Sequence, residues 1–154
     1  MRELPAIEAT YTELASELDR KMDEAIQRND QRAIEWIGQQ RQINDSAYFI
    51  LAWGQLEAKI NEACGEAVRQ RTHHRDWNVR RAWDLHDPDD LRAKFEDRAA
   101  LVLDRSNAAT DAYRRTIRYY GQRNRVAHGK SLATGIDVPT VIAEIYQISS
   151  EITT

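Results

Sequence analysis

The stretch NDSAYFILAWGQLEAKINEACGEA, residues 44–67, places Phe49, Trp53, Leu56, Ile60, Ala63 and Ala67 at steps of three and four. Such steps return side chains to one side of an α-helix, whereas a strand would alternate them every second residue. The stretch therefore predicts an amphipathic helix, and this helix is expected to form the centre of the core. Asn44, Asp45 and Ser46 have side chains that suit an N-cap, so the helix is expected to open there.

Upstream, Ile7, Tyr11, Leu14, Leu18, Met22 and Ile26 keep the same rhythm between charged residues. Ile34 and Ile37 carry it past Asn29-Asp30, which leaves either one helix to about Gln40 or two pieces. Downstream, residues 70–86 lack periodicity and set Arg71, His73, His74, Arg75, Arg80 and Arg81 around Trp77 and Trp83. They read as a loop or irregular helix, with the tryptophans as anchors to the core ahead of platforms for stacked bases.

A third helix is expected from Asp87-Pro88-Asp89-Asp90, which offers a cap, a proline for the first turn and two acids for the positive helix end. Leu91, Phe95 and Ala99 follow on its apolar side. Ser106 or Asn107 is expected to cap a fourth helix that buries Ala109, Ala112, Tyr113, Ile117 and Tyr120 and stops near Gly129. Asp137 and Pro139 mark the start of a last one, with Val138, Val141, Ile145, Ile148 and Ile152 as its stripe.

Six Gly and three Pro among 154 residues leave little material for turns. The prediction is an all-α fold of about five helices in a compact bundle, one folding unit over residues 1–154, without repeats or linkers. No apolar run reaches bilayer length, and the opening Met-Arg-Glu-Leu-Pro lacks the order of a secretory signal, so no membrane contact and a cytoplasmic location are expected. Cys64 cannot form an internal disulfide and reads as a buried reduced thiol.

A formal charge of −3 conceals an uneven distribution. Residues 1–68 hold 7 Lys/Arg against 13 Asp/Glu, residues 69–136 hold 15 against 9, and residues 137–154 hold none against 3. Such a pattern can present a cationic face to a polyanion without making the whole chain basic. Between Ala112 and Ile136 lie six cations, Arg114, Arg115, Arg118, Arg123, Arg125 and Lys130, and no acid. Within this segment Arg123-Asn124-Arg125-Val126-Ala127-His128-Gly129 sets an arginine and a histidine with four residues between them and an amide beside the arginine.

Arg123, Asn124 and His128 resemble the Arg-x(4 to 6)-His motif of the HEPN superfamily, in which a polar residue usually follows the arginine. Trp53-Gly-Gln-Leu-Glu57 is similar to an aromatic and Leu-Glu pattern on the central helix of several members. The resemblance implies a helical bundle that forms a two-fold dimer, and many such domains are metal-independent endoribonucleases. They occur as toxins of toxin-antitoxin pairs, often beside a minimal nucleotidyltransferase, and in phage defence; others have lost activity and only bind.

The residue types suit that chemistry on their own terms. RNA is cleaved when its 2′-hydroxyl attacks the adjacent phosphorus, which requires a proton acceptor, a donor to the departing 5′ oxygen, and charge stabilisation between them. An imidazole such as that of His128 exchanges protons near neutrality. The Arg123 guanidinium fits phosphate oxygens as a fork, and Asn124 can orient one of them. Arg125, Arg118 and Lys130 are expected to line the RNA groove, with Arg114 and Arg115 as further contacts.

On an ideal helix Arg123 and His128 differ by roughly 140° in direction and about 7.5 Å along the axis. Either the helix deforms near its end or two copies share the site, one histidine acting as base and the other as acid. The competing reading makes His128 a plain C-terminal helix cap and the protein a non-enzymatic module that dimerises or binds a nucleotide or protein partner. No metal or cofactor is expected, since the adjacent His73 and His74 are poorly placed for joint ligation.

Overall fold

The computed structural model describes residues 1–83, 93–130 and 135–153. Among the described residues it holds six α-helices and no strand: α1 (Leu4–Gln27), α2 (Gln31–Thr72), α3 (Trp77–Trp83), α4 (Phe95–Val102), α5 (Ala112–Ala127) and α6 (Val138–Ser150). The all-α expectation holds. Among the described residues no helix is long and apolar enough to cross a membrane.

The interruption flagged at Asn29-Asp30 is real. Asn29 adopts φ 51°, the Asn29 N–H donates to Ile26 O at 2.9 Å and the Asp30 N–H to Ala25 O at 3.0 Å. This paired closure is a Schellman motif, and asparagine tolerates its left-handed position better than most residues. Asp30 then caps the next helix, its Oδ1 accepting the Ala33 N–H at 3.1 Å.

The expected opening at Asn44-Asp45-Ser46 is corrected by the structure, because α2 runs unbroken through it. A capping side chain starts a helix only where the preceding backbone leaves N–H groups unpaired, and here the previous turns already supply partners. Asp45 accepts a bond from another helix instead.

A second correction concerns the fourth helix, which starts at Ala112 and not after Ser106 or Asn107. Those residues close local turns: Asn107 Oδ1 accepts the Ala109 N–H, and Asp104 accepts both the N–H and the hydroxyl of Ser106. Side chains committed to such turns hold the backbone away from helix geometry. As a result Ala109 is exposed, the buried positions are Ala112, Thr116 and Tyr119, and Tyr113, Ile117 and Tyr120 are half-buried.

Residues 70–86 divide between the end of α2, a turn and α3, up to residue 83. The expected start at Asp87-Pro88-Asp89-Asp90, together with Leu91, lies outside the described residues; Phe95 and Ala99 are buried on α4. Asp137 caps α6 as anticipated, its two oxygens accepting the Thr140 N–H at 3.3 Å and hydroxyl at 2.7 Å.

Contacts divide the chain into two units. The first comprises residues 1–55 and 121–145, with Leu4, Tyr11, Ile37, Phe49, Trp53, Val138 and Ile142 among its buried side chains. Tyr11 meets Tyr48 edge to face there, with ring centroids 5.5 Å apart. The α1 stripe is only partly covered, because Leu14 and Ile26 stay exposed. The second unit comprises residues 56–120 and 146–154 and buries Leu56, Ile60, Val68, Val102 and Ile148. In it Phe95 stacks on Tyr120 at 4.5 Å, and Lys59 Nζ donates to Ser149 O at 2.8 Å near the end of α6. Cys64 is a buried free thiol that donates to Arg98 O at 3.0 Å, and burial pushes its pKa up to about 11.

Candidate functional site

The Arg-x4-His segment is the C-terminal end of α5. The His128 N–H keeps the regular bond to Asn124 O at 3.1 Å, so helical geometry persists through the cap position. The Gly129 N–H then donates to Val126 O at 2.9 Å and the Lys130 N–H to Arg125 O at 2.9 Å, a second Schellman closure. Gly129 supplies the required left-handed residue, with φ 69°. The stop expected at Gly129 is thus explained by backbone bonds.

His128 is the cap residue and is exposed, as are Arg125 and Lys130. Cations at this helix end interact favourably with its partial negative charge. Arg123 and Asn124 are half-buried and joined: Arg123 Nη1 donates to Asn124 Oδ1 at 3.1 Å. Among the described residues no carboxylate forms a salt bridge with Arg125, His128 or Lys130. No hydrogen bond among them joins the Arg123 guanidinium to the His128 ring. The segment therefore holds a fixed arginine-amide pair and a separate, open imidazole.

The upstream arginines have individual surroundings. Arg114 is exposed, with Nε 3.6 Å from Asp111 Oδ1. Arg115 is half-buried and holds the turn before α5, donating to Thr110 O at 2.8 Å and to Gln147 Oε1 at 2.9 Å. The Arg118 guanidinium lies over the Tyr119 ring at 5.0 Å.

The chain matches no protein-family model, no curated protein and no solved structure.

One polar cluster was not legible in the sequence. In the first unit, clefts of about 300 and about 380 Å³ share Arg41, Asp45 and Ile136, and the second is also lined by Tyr11, Asp19 and Asp137. Tyr11 Oη donates to Asp45 Oδ1 at 3.0 Å, and Arg41 pairs with Asp19. Burial, followed by the Asp45 carboxylate, pushes the Tyr11 phenol up to about 12. Burial also raises the Asp45 carboxyl, while the bond from Tyr11 acts the other way. No group of three His, Cys, Asp or Glu side chains among the described residues could hold a metal ion.

Proposed function

We propose that this chain is a HEPN-type endoribonuclease that cleaves RNA through its own 2′-hydroxyl. The observation that carries this reading is the acid-free end of α5, where the exposed His128 shares one helix terminus with Arg123, held by Asn124, and with the exposed Arg125 and Lys130. A phosphate arriving there meets the exposed Arg125 and Lys130, with which no carboxylate among the described residues forms a salt bridge.

In this mechanism one imidazole takes the proton of the 2′-hydroxyl as its oxygen bonds to phosphorus. Arg123 balances charge on the non-bridging oxygens, and Asn124, whose carbonyl oxygen engages Arg123, turns its amide donors toward the substrate. The phosphorus bond to the 5′ oxygen breaks, a second imidazole protonates that oxygen, and a 2′,3′-cyclic phosphate remains. DNA lacks the attacking hydroxyl and is spared.

The second imidazole comes from a second copy of the chain. Regular geometry through His128 keeps it roughly 140° from Arg123 around α5, which favours a site shared across a two-fold axis. The outward side of α2 supports pairing: Trp36, Ile43 and Leu51 are 60%, 70% and 52% exposed at steps of seven and eight, with exposed Ala47 and Gly54 on the same side. A stripe of this kind is self-complementary when two copies meet. A toxin or phage-defence role, restrained by an antitoxin such as a minimal nucleotidyltransferase, is the setting this reading implies.

The test is digestion of single-stranded RNA with chelator present. Wild type is expected to leave cyclic phosphate ends, and His128→Ala and Arg123→Ala to lose cleavage while retaining their helical spectra. Inhibition by chelator, or full activity in His128→Ala, overturns the mechanism. The α2 stripe also favours a second reading, an inactive module that docks partners; it expects no cleavage and loss of pairing in Ile43→Glu.

A further inference from the structure

Residues 69–83 carry Arg69, Arg71, Arg75, Arg80 and Arg81 against one acid, Asp76. That acid is engaged locally, since Asp76 Oδ1 accepts the Asn78 N–H at 2.8 Å at the start of α3. Among the described residues no carboxylate forms a salt bridge with Arg71, Arg75, Arg80 or Arg81. The turn before α3 is held by backbone and histidine bonds, including the Asp76 N–H to His74 Nδ1 at 3.1 Å.

The α3 helix has no buried residue, and Trp77 is 56% exposed. The sequence expectation that Trp77 anchors this segment is corrected: an indole open to water contributes little to holding it. The Arg80 guanidinium lies 5.7 Å from the centre of the Trp77 ring, and that of Arg71 lies 4.8 Å from Trp83. Trp77 is thus an exposed indole with one guanidinium, that of Arg80, over its ring, and single-stranded nucleic acid uses exposed rings beside cations, because bases stack on the rings while cations follow the phosphates. Four aspartates at 84, 87, 89 and 90 follow in sequence, outside the described residues, so the indole and not the charge alone carries the argument.

We propose that Trp77, with Arg75, Arg80 and Arg81, forms a base-stacking site for single-stranded RNA, separate in the chain from Arg123 and His128. It rests on RNA being the ligand inferred above and not on cleavage.

The experiment is fluorescence anisotropy of a labelled single-stranded RNA with the His128→Ala protein. Adding Trp77→Ala is expected to weaken binding about ten-fold, whereas Trp77→Phe, which keeps an aromatic face, retains most of it. An abasic RNA of equal length should bind the His128→Ala protein more weakly than intact RNA, and the Trp77→Ala derivative should not distinguish them. Arg80→Gln with Arg81→Gln should flatten the salt dependence. Unchanged affinity in Trp77→Ala overturns the site, and so does loss of a protein partner with RNA binding intact. If cleavage by wild type persists in that case, only this site fails. If wild type never cleaves but binding depends on Trp77, the nuclease reading fails and this site stands.

Discussion

The phenol of Tyr11 on α1 donates to the carboxylate of Asp45 on α2 at 3.0 Å, joining residues 34 apart in sequence. The bond is polar, largely shielded on the tyrosine side, and made to a residue in the middle of a continuous helix. Removing the donor leaves a partly buried carboxylate short of a partner. Tyr11→Phe is therefore expected to lower stability by about 1–2 kcal/mol. A urea titration checks it, and an unchanged midpoint would show that the bond contributes nothing net.

The same pair sets a pH response. Both groups have raised values in the folded chain, so the native state holds their protons more tightly than the unfolded one. The Asp45 contribution is complete below the ordinary carboxylate range and is lost as pH rises through its raised folded value. The Tyr11 contribution is complete below about 10 and is lost as pH climbs toward about 12. Asp45→Asn keeps an acceptor for Tyr11 without the charge. It should raise the melting temperature at pH 7 relative to wild type, with the difference shrinking at pH 3; a difference that ignores pH contradicts the assignment.

Gly129 stands at φ 69° with nothing within 4 Å of where a Cβ would lie. The penalty of a side chain there is conformational and not steric crowding. Gly129→Ala should cost about 1 kcal/mol, whereas Asn29→Gly, at the corresponding position after α1, should be neutral or slightly stabilising. Equilibrium denaturation of the two variants compares them directly.

Two isoleucines of α2 should behave oppositely. Ile60 is fully buried and Ile43 is 70% exposed. Ile60→Ala is expected to lose about 2–5 kcal/mol of stability. Ile43→Ser should shift stability by no more than about 0.5 kcal/mol but weaken self-association in sedimentation velocity if α2 pairs with a second copy. A monomeric wild type at high concentration would remove the paired site from the mechanism.

Much of this architecture follows from short-range rules. The spacing of Phe49, Trp53, Leu56, Ile60, Ala63 and Ala67 makes one buried stripe in any helical context, and each is buried. Asp137 before Pro139 and Gly129 after α5 mark ends, because capping is a matter of a few neighbouring backbone groups. The acid-free run from Ala112 to Ile136 is likewise visible in the chain alone, and it is what singles out Arg123 and His128.

Local rules did not decide which of two competent partners a side chain takes. Asp45 suits a cap, but Tyr11 reached it from another helix, and α2 continued. Asn107 suits a cap as well, yet it closes a turn and α5 begins at Ala112. Periodicity also reports that Trp36, Ile43 and Trp77 are apolar without saying what covers them. Burial depends on which elements arrive in three dimensions, so only tertiary structure left these three open to water.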